Sequence, residues 1–334
     1  MTRRLPPFIR HVFSGATFDA LLITDLSNIR YLTGSNVSSG LVLLTKNSVI
    51  FFVDGRYTES SRETSYPYVV IRSHLDMGTV LKTYRRIGFE SQHVTVARLR
   101  RFEKLFPRAR FKPTSGIIED LRRTKTPQEL RSVQKACALT KKVLRLIPSR
   151  LKIGMTERIL ALDLETLSRS LGAESMAFET IVAFGENTSR PHHHPGDRRL
   201  QRSDIVQIDM GVKVDGYCSD YSRVFWMGKK TPAQKRAYRA LREAKRDAET
   251  SVRPGVSNRS LDTVARDTLK RYGYDKEFCH SLGHGLGLDI HEAPSLSTKA
   301  PLMALRKHEV ITIEPGLYFE GEWGMRVEDT IVVR

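Results

Sequence analysis

The apolar positions at the start of the chain form short runs separated by turn residues. Runs bounded by Gly, Asn, Asp and Pro predict strands at 19–25, 40–54, 66–73 and 83–91, the second folded as a hairpin. Residues 94–107 instead repeat apolar positions at helical spacing, which predicts a helix. Strands and a helix mixed in this way over about 120 residues indicate an α/β domain. No Gly-x-Gly-x-x-Gly motif follows a strand, so a dinucleotide site is not expected.

The pattern changes near residue 125. Thr126 is a predicted N-cap, Pro127 the first helical residue and Glu129 the partner of the cap in a capping box. Apolar periodicity then predicts helices at 126–149, 156–172, 231–252 and 258–273, and strands at 179–185, 204–228, 308–319 and 325–333. Helices beside an antiparallel sheet define an α+β domain. We therefore predict two domains, 1–122 and 123–334.

The chain is strongly basic, with 55 Lys and Arg against 37 Asp and Glu and a formal net charge of +18. The excess is spread over both predicted domains. No zinc-finger spacing, RRM-type aromatic motif or Lys/Arg run accompanies it. A basic, solvated surface is therefore favoured over nucleic-acid binding as the main function.

The cysteines and the apolar runs bear on the cellular compartment in which the protein is expected. Cys137, Cys218 and Cys279 include no Cys-x-x-Cys spacing and cannot form a closed disulfide framework, so a reducing, cytoplasmic setting is expected. No stretch approaches ~20 consecutive apolar residues, so no membrane span is predicted. The basic start of the chain also lacks the apolar run of a signal peptide.

The segment IDMGVKVDGYCSD places an aspartate in each arm of a predicted hairpin. Asp is disfavoured in strands, and a buried carboxylate has to be paired, hydrogen-bonded or coordinated. If Asp215 and Gly216 form a two-residue turn, Asp220 lies opposite Gly211 and diagonal to Asp209 on one face. Two such carboxylates repel unless a cation lies between them, and the small Gly211 leaves room for one. A slip of one residue would put them on opposite faces, so a turn-and-surface role is the alternative.

Two later strands also carry an acidic residue within an apolar run. Glu314 lies in ITIEPGLYF and Glu328 in MRVEDTIVV. Each alone could be a strand-end carboxylate paired with an arginine. Together with the hairpin aspartates they form a set of four carboxylates in strand contexts, which suits a hard divalent cation.

Histidines cluster in two segments. HSLGHGLGLDIHE supplies His280, His284 and His291 among glycines that let the backbone pack closely against a site. SRPHHHPGDRR supplies His192, His193 and His194 in a loop flanked by prolines. Such a loop can present one imidazole to a substrate, and a plain surface role is expected for His193.

Five motifs in this order resemble the Xaa-Pro aminopeptidase and prolidase family, whose catalytic domain has the pita-bread fold also found in methionine aminopeptidases. They are TIVAFGENTSRPHHHP, DIVQIDMGVKVDGYCSDYSRVF, HSLGHGLGLDIHE, ITIEPGLYF and GMRVEDTIVV. The stretch from DALLITD to GRYTESS resembles the creatinase-type N-terminal domain of the same family. The resemblance covers nearly the whole chain. It implies a creatinase-like α/β domain followed by an α+β pita-bread catalytic domain.

The resemblance implies a pair of divalent ions held by Asp209, Asp220, His284, Glu314 and Glu328. Asp220 and Glu328 would bridge the two ions. Asp209 would complete one site, and His284 with Glu314 would complete the other. Glu314 would also accept the proton of the attacking water during hydrolysis.

Four further residues match substrate-side positions of the family. His192, His280 and His291 are implied as catalytic and substrate-binding residues, and Arg326 as a residue beside the last glutamate that helps to hold the substrate. Ser222 stands where the family usually has Thr, which keeps the hydroxyl.

The implied activity is hydrolysis of an N-terminal Xaa-Pro bond by a dinuclear-metal aminopeptidase. Prolidase, an Xaa-Pro dipeptidase, is the alternative. The expected cofactor is Mn²⁺, with Co²⁺, Zn²⁺ or Fe²⁺ also compatible. The expected partners are peptides with proline second and another copy of the chain. A non-catalytic relative that binds RNA or protein through its basic surface and creatinase-like amidine chemistry fit less well, because every metal-ligand position is filled.

Overall fold

The computed structural model describes residues 7–334. The chain divides into two compact units, Met1–Arg122 and Arg123–Arg334. Each unit has its own sheets and its own buried core.

Six strands form the sheet of the first unit: β1 (Ala20–Ile23), β2 (Leu41–Thr45), β3 (Val49–Val53), β4 (Val69–Ser73), β5 (Arg86–Glu90) and β6 (Arg110–Thr114). They lie in the order β4-β3-β2-β1-β5-β6. The β1–β2 and β2–β3 pairs are antiparallel, and the other three pairs are parallel. The predicted hairpin is β2–β3. Sequence reasoning missed β6, whose charged residues and proline are typical of an edge strand.

The helices of the first unit are α1 (Pro7–Val12), α2 (Leu26–Thr33), α3 (Thr58–Thr64), α4 (Met77–Leu81), α5 (Val96–Leu105) and α6 (Ile117–Arg123). Only α5 was predicted, because the others span too few turns to show a clear periodicity. Both faces of the sheet are buried. Leu21 and Ile23 pack into one core, and Ala20 and Leu22 pack into the other. The predicted α/β class follows from this arrangement.

The helices of the second unit are α7 (Pro127–Arg150), α8 (Glu157–Ser170), α9 (Pro232–Ser251) and α10 (Asn258–Arg271). All four were predicted. The capping box at Thr126 and Glu129 is confirmed, because the Thr126 side chain accepts from the Glu129 backbone and the Glu129 side chain accepts from the Thr126 backbone. In the described part of the chain, no helix is both long enough and apolar enough to cross a membrane.

The strands of the second unit are β7 (Ser175–Met176), β8 (Ile181–Phe184), β9 (Ile205–Met210), β10 (Val212–Val214), β11 (Tyr217–Cys218), β12 (Tyr221–Trp226), β13 (Gly283–Gly285), β14 (Glu292–Leu296), β15 (Val310–Ile313), β16 (Gly316–Phe319), β17 (Trp323–Arg326) and β18 (Asp329–Val332). They pair as β11-β10-β7, β12-β9-β8, β14-β13-β15-β18 and β16-β17. These pairings are antiparallel, as expected for the α+β class.

Two helix pairs cover these sheets with separate cores. Helices α7 and α8 pack against β8 and β9, where Leu160 and Ile208 are fully buried. Helices α9 and α10 pack against β13 to β15, where Ala265 and Ile311 are fully buried. The second unit thus consists of two halves, each with its own helix pair and buried core.

The predicted register of the aspartate hairpin is confirmed. Lys213 pairs with Cys218, Val214 with Tyr217 and Asp209 with Ser222. Asp215 and Gly216 both have positive φ, as a primed two-residue turn requires.

The expectation that Gly211 makes room for a cation is wrong. A Cβ at Gly211 would lie 1.9 Å from the carbonyl oxygen of Ser219 and 3.0 Å from the ring of Phe178. Glycine is needed at position 211 because the Ser219 backbone and the Phe178 ring approach it closely. The missing side chain of Gly211 therefore does not create space for a cation beside the aspartates.

Glu314 and Glu328 lie at breaks between strands, whereas the sequence predicted that both are inside strands. Glu314 falls between β15 and β16, immediately before Pro315, which has no N–H for the ladder. Glu328 falls between β17 and β18, where its own N–H donates across to the carbonyl of Ser222 at 3.2 Å. At both breaks the backbone leaves one sheet for another.

Candidate metal centre and active site

A cavity of about 610 Å³ opens in the second unit and gathers most of the predicted site residues. It is lined by Asp209, Asp220, His284, Glu314, His192, His280, His291 and Arg326. Glu328 is buried behind this wall and has a carboxylate oxygen within 4.8 Å of ligand atoms of Asp220 and His284. Residues that are up to 136 positions apart in sequence therefore meet at one site.

The backbone fixes both hairpin aspartates. Asp209 is the fifth residue of β9, and Asp220 lies in the short gap between β11 and β12. Thr330 holds the Asp220 backbone from both sides: its hydroxyl accepts from the Asp220 N–H at 3.1 Å and donates to the Asp220 carbonyl at 2.8 Å. Both aspartates are buried.

His284 presents an unprotonated nitrogen to the carboxylates. Its Nδ1 lies 2.9 Å from the Gly285 carbonyl, which can only accept, so Nδ1 carries the proton. The Nε2 lone pair then faces Glu314 at 3.4 Å and Asp220 at 3.6 Å. Burial lowers the pKa of His284 to about 4, which keeps the ring neutral. A lone pair directed at carboxylates is repulsive unless a cation lies between them.

The buried carboxylates also lack partners. Among the described residues, one oxygen each of Asp209, Asp220 and Glu328 is buried without a hydrogen bond. Burial and the neighbouring carboxylates raise the pKa of Asp220 and of Glu328 well above the usual range. Burial likewise raises the pKa of Glu314 to about 8, against the opposing charge of Arg326. These oxygens and the His284 lone pair form the donor set of a divalent-cation site.

Arg326 is the cation that the protein itself supplies. It is buried, and its guanidinium donates to Asp209, to the Ser222 hydroxyl at 3.0 Å and to Tyr318 at 2.6 Å. Its backbone N–H donates to the side chain of Gln207 at 2.7 Å. The nearby acidic groups raise its pKa further above the usual range, so it stays charged. A single fixed charge leaves the four carboxylates only partly neutralised.

Tyr318, which sequence reasoning missed, connects Arg326 to His280. The Tyr318 hydroxyl accepts from Arg326, and it lies 3.2 Å from Nε2 of His280. The other ring nitrogen of His280 lies 2.8 Å from the Ser281 carbonyl, so it donates and Nε2 accepts from Tyr318. Burial and Arg326 lower the pKa of His280 to about 3. Both nitrogens of His280 already have protein partners, so hydrogen bonding to substrate would require one of them to be released.

The remaining histidines occupy different positions. His291 lies beside His284, with ring centroids 4.4 Å apart, and His192 is exposed at the cavity. His193 turns inward, with Nε2 2.8 Å from the buried carboxylate of Glu157. Glu157 also accepts from two backbone N–H groups. The surface role expected for His193 is therefore wrong, because its side chain is only 9% exposed and holds a buried carboxylate.

Ser222 connects the metal-ligand candidates to Arg326. Its hydroxyl donates to Glu328 at 2.9 Å and accepts from Arg326 at 3.0 Å.

We expect Ser222→Ala to lower the free energy of unfolding by about 1–3 kcal/mol, because two buried groups lose a partner. Catalytic efficiency should fall about 10-fold or more. Urea unfolding and kcat/KM measure the two effects. Ser222→Thr keeps the hydroxyl and should resemble the wild type; equal losses in both variants would contradict this role.

A buried ion pair beside His291 was also missed by sequence reasoning. Lys125 Nζ lies 2.9 Å from Glu292, and the two side chains are 1% and 7% exposed. The other Glu292 oxygen accepts from the Asp289 N–H at 3.2 Å. A Cβ at Gly287 would lie 2.7 Å from this carboxylate. The pair therefore holds the loop that leads to His291.

We expect Lys125→Met to lower the free energy of unfolding by about 3–5 kcal/mol, because it removes the buried cation that lies 2.9 Å from the buried Glu292 carboxylate. Lys135→Met is the matched control, since Lys135 pairs with Asp215 at 3.0 Å but is 63% exposed. That control should change stability by about 1 kcal/mol or less. Denaturant unfolding of both variants tests the contrast, and equal effects would show that burial of the pair does not matter.

Comparison with known proteins agrees with this geometry. Residues 131–334 match Metallopeptidase family M24, and residues 9–124 match the Creatinase/Prolidase N-terminal domain. The Xaa-Pro dipeptidase of Pyrococcus horikoshii is 33% identical over 319 residues, which cover 95% of this chain and 90% of that protein.

Two solved structures have the same fold. An Xaa-Pro dipeptidase from Bacillus anthracis superposes with a TM-score of 0.93 at 32% identity, covering 98% of this chain and 93% of that one. An X-Pro aminopeptidase from Thermotoga maritima superposes with a TM-score of 0.88 at 30% identity, covering 97% and 95%.

The chain belongs to Metallopeptidase family M24 and is a hydrolase with a creatinase/prolidase N-terminal domain and a pita-bread catalytic domain. The resemblance inferred from the sequence motifs is confirmed. Membership in this family implies divalent metal ions, in agreement with the donor set formed by the buried carboxylates and His284.

Proposed function

We propose that this protein is an Xaa-Pro dipeptidase, a prolidase, which hydrolyses the bond between a first residue and proline. The observation that carries the proposal is the cluster of unpartnered buried carboxylate oxygens and the His284 lone pair at one wall of the cavity. The relatives named Xaa-Pro dipeptidase support prolidase rather than the aminopeptidase that the sequence motifs favoured.

Two divalent ions fit the donor set Asp209, Asp220, His284, Glu314 and Glu328. When bound, they supply a water molecule that is acidic enough to ionise near neutral pH. Mn²⁺ is the proposed metal, because mixed carboxylate and imidazole ligands accept it and the family resemblance favours it. A homodimer is proposed from the resemblance alone.

The protein's own groups then move protons and orient the substrate. Glu314 has one carboxylate oxygen held by the Thr312 hydroxyl at 3.3 Å, and it is the proposed proton acceptor. His291 faces the cavity beside His284 and is placed to donate to the developing oxyanion. Arg326 fixes Asp209, and the exposed ring of His192 lies where it can contact the substrate backbone.

Recognition of proline requires apolar surface beside the reacting bond. Phe178, Ile181 and Ile290 line the same cavity as the carboxylates. A pyrrolidine ring has no N–H and a fixed shape, so these side chains can select it by contact alone. We propose that they form the proline pocket.

A peptide panel tests the assignment. The Mn²⁺-loaded protein should release both amino acids from Xaa-Pro dipeptides and leave Xaa-Ala dipeptides intact. Cleavage of Xaa-Pro-Yaa tripeptides with little activity on dipeptides would identify an aminopeptidase instead. No hydrolysis of either class with metal bound would overturn both activities.

A further inference from the structure

One segment of the second unit carries a large part of the excess positive charge of that unit. Residues 229–246 contain one acidic residue, Glu243, and eight cations: Lys229, Lys230, Lys235, Arg236, Arg239, Arg242, Lys245 and Arg246. This segment therefore has a net charge of +7, out of +18 for the whole chain. Like charges this close repel one another and destabilise the helix that carries them. Peptide hydrolysis at the carboxylate cluster gives no reason for them.

Helix α9 arranges these cations as a stripe. Lys235, Arg239, Arg242 and Arg246 are spaced by four, three and four residues, so they share one face of the helix. At 1.5 Å per residue, the stripe is about 16 Å long. All four side chains are exposed, and they line a groove of about 610 Å³. We call this groove the α9 basic groove.

The α9 basic groove is also lined by Glu243 and Glu249, but several of its cations lack acidic partners. Lys230 Nζ lies 3.8 Å from the centre of the Trp226 ring and 4.9 Å from that of Tyr238, which holds the ammonium in place. Within residues 7–334, no carboxylate forms an ion pair with Lys235, Arg239 or Arg242. An anion with several regularly spaced charges could therefore bind without displacing existing pairs.

We propose that the α9 basic groove docks the phosphodiester backbone of a nucleic acid, without reading its sequence. Phosphates placed along a strand match a row of cations along a helix, and arginine binds phosphate oxygens with two parallel hydrogen bonds. The groove is separate from the carboxylate cavity, since none of its lining residues lines that cavity. Docking would therefore hold the peptidase on a nucleic acid and leave hydrolysis unchanged.

Other acidic partners fit the groove less well. A membrane-binding helix needs large apolar side chains beside its cations, and none of the large exposed apolar residues lies on α9. A specific protein partner usually needs an apolar or aromatic anchor pocket, whereas the aromatic rings here are already engaged by Lys230. Charge alone remains as the basis of recognition, which is how nucleic-acid backbones are bound.

The test is binding of the metal-loaded protein to a fluorescent single-stranded RNA of mixed sequence, measured by anisotropy from 50 to 200 mM salt. The groove variant Lys235→Gln/Arg239→Gln/Arg242→Gln should bind at least about 10-fold more weakly. Its slope of log affinity against log salt should fall by about 2, since each lost phosphate contact removes about 0.7. Arg239→Gln alone should have about one third of this effect on the slope.

A control of equal charge separates the groove from general basicity. Arg100→Gln/Arg101→Gln/Lys104→Gln removes three exposed cations from α5 and should retain binding within about 3-fold. Both triple variants should keep wild-type peptide hydrolysis, and the groove variant should be at least as thermally stable as the wild type because it relieves like-charge repulsion. Equal losses in both, no RNA binding at 50 mM salt, or stronger binding to polyglutamate or phosphatidylserine vesicles than to RNA would each overturn the proposal.

Discussion

Glu314→Gln is expected to lower kcat on Xaa-Pro dipeptides by about 10²–10⁴-fold, the usual contribution of a positioned proton acceptor. The amide keeps the shape of the side chain and can still accept from Thr312, but it cannot take a proton. Glu314 suits this role because its carboxylate lines the cavity, lies 3.4 Å from Nε2 of His284 and is held by the Thr312 hydroxyl at 3.3 Å. Steady-state kinetics at saturating Mn²⁺ measure the effect.

Glu320→Gln is the matched control for this change. Glu320 is exposed, lies six residues further along the chain and does not line the cavity, so kcat should remain within about 2-fold of the wild type. Bound metal should be measured in each variant by elemental analysis. A Glu314→Gln protein that binds metal and retains more than a third of the wild-type kcat would exclude Glu314 as the proton acceptor.

Removal of the metal is expected to make stability fall as pH rises. The Glu314 carboxyl has an ordinary pKa of 4.5 and a folded, metal-free pKa of about 8. The folded state therefore holds a proton that the unfolded state releases between these values, and stability is lost as pH rises through this window. Burial shifts the pKa values of Asp220 and Glu328 in the same direction and strengthens the effect.

Metal binding should reverse this trend, because a bound ion takes the place of the protons. Mn²⁺ at 1,000 times its Kd should add about 4 kcal/mol of stability. In a unit of this size, that gain raises Tm by roughly 8–16 °C.

For each displaced proton, the apparent Kd for Mn²⁺ should rise about tenfold per pH unit below 8. Calorimetric scans from pH 5 to 8, with chelator or Mn²⁺, measure both trends. The Glu314→Gln protein should have a smaller pH dependence; an unchanged one would rule out Glu314 as its source.

The aspartate hairpin shows what local sequence can determine. The turn Asp215-Gly216 and the alternation of side chains were enough to place Asp209 opposite Ser222. Because the two arms are adjacent in sequence, the register follows from the turn and the pleat alone. The role of Gly211 could not be found in this way, since the alternation of side chains does not show how closely the Ser219 backbone and the Phe178 ring approach that position.

Contacts between residues that are far apart in the sequence could not be predicted from local sequence patterns. Lys125 and Glu292 are 167 residues apart, and nothing in either local pattern marks them as a buried pair. In the sequence, Tyr318 is one more aromatic residue in an apolar strand. Its hydrogen bonds with Arg326 and His280 are seen only in the structure. The strand breaks at Glu314 and Glu328 were missed as well, because the apolar residues around them continue the strand pattern.

The separation of the catalytic unit into two halves has a consequence for biosynthesis. Asp209 and Asp220 belong to the half with α7 and α8, whereas His284 lies in the half with α9 and α10. Translation therefore supplies only part of the proposed donor set first, and we expect a nascent chain that has only the earlier half to bind the proposed ions weakly. We therefore expect tight metal binding only after the later half has been synthesised and has packed against the earlier one.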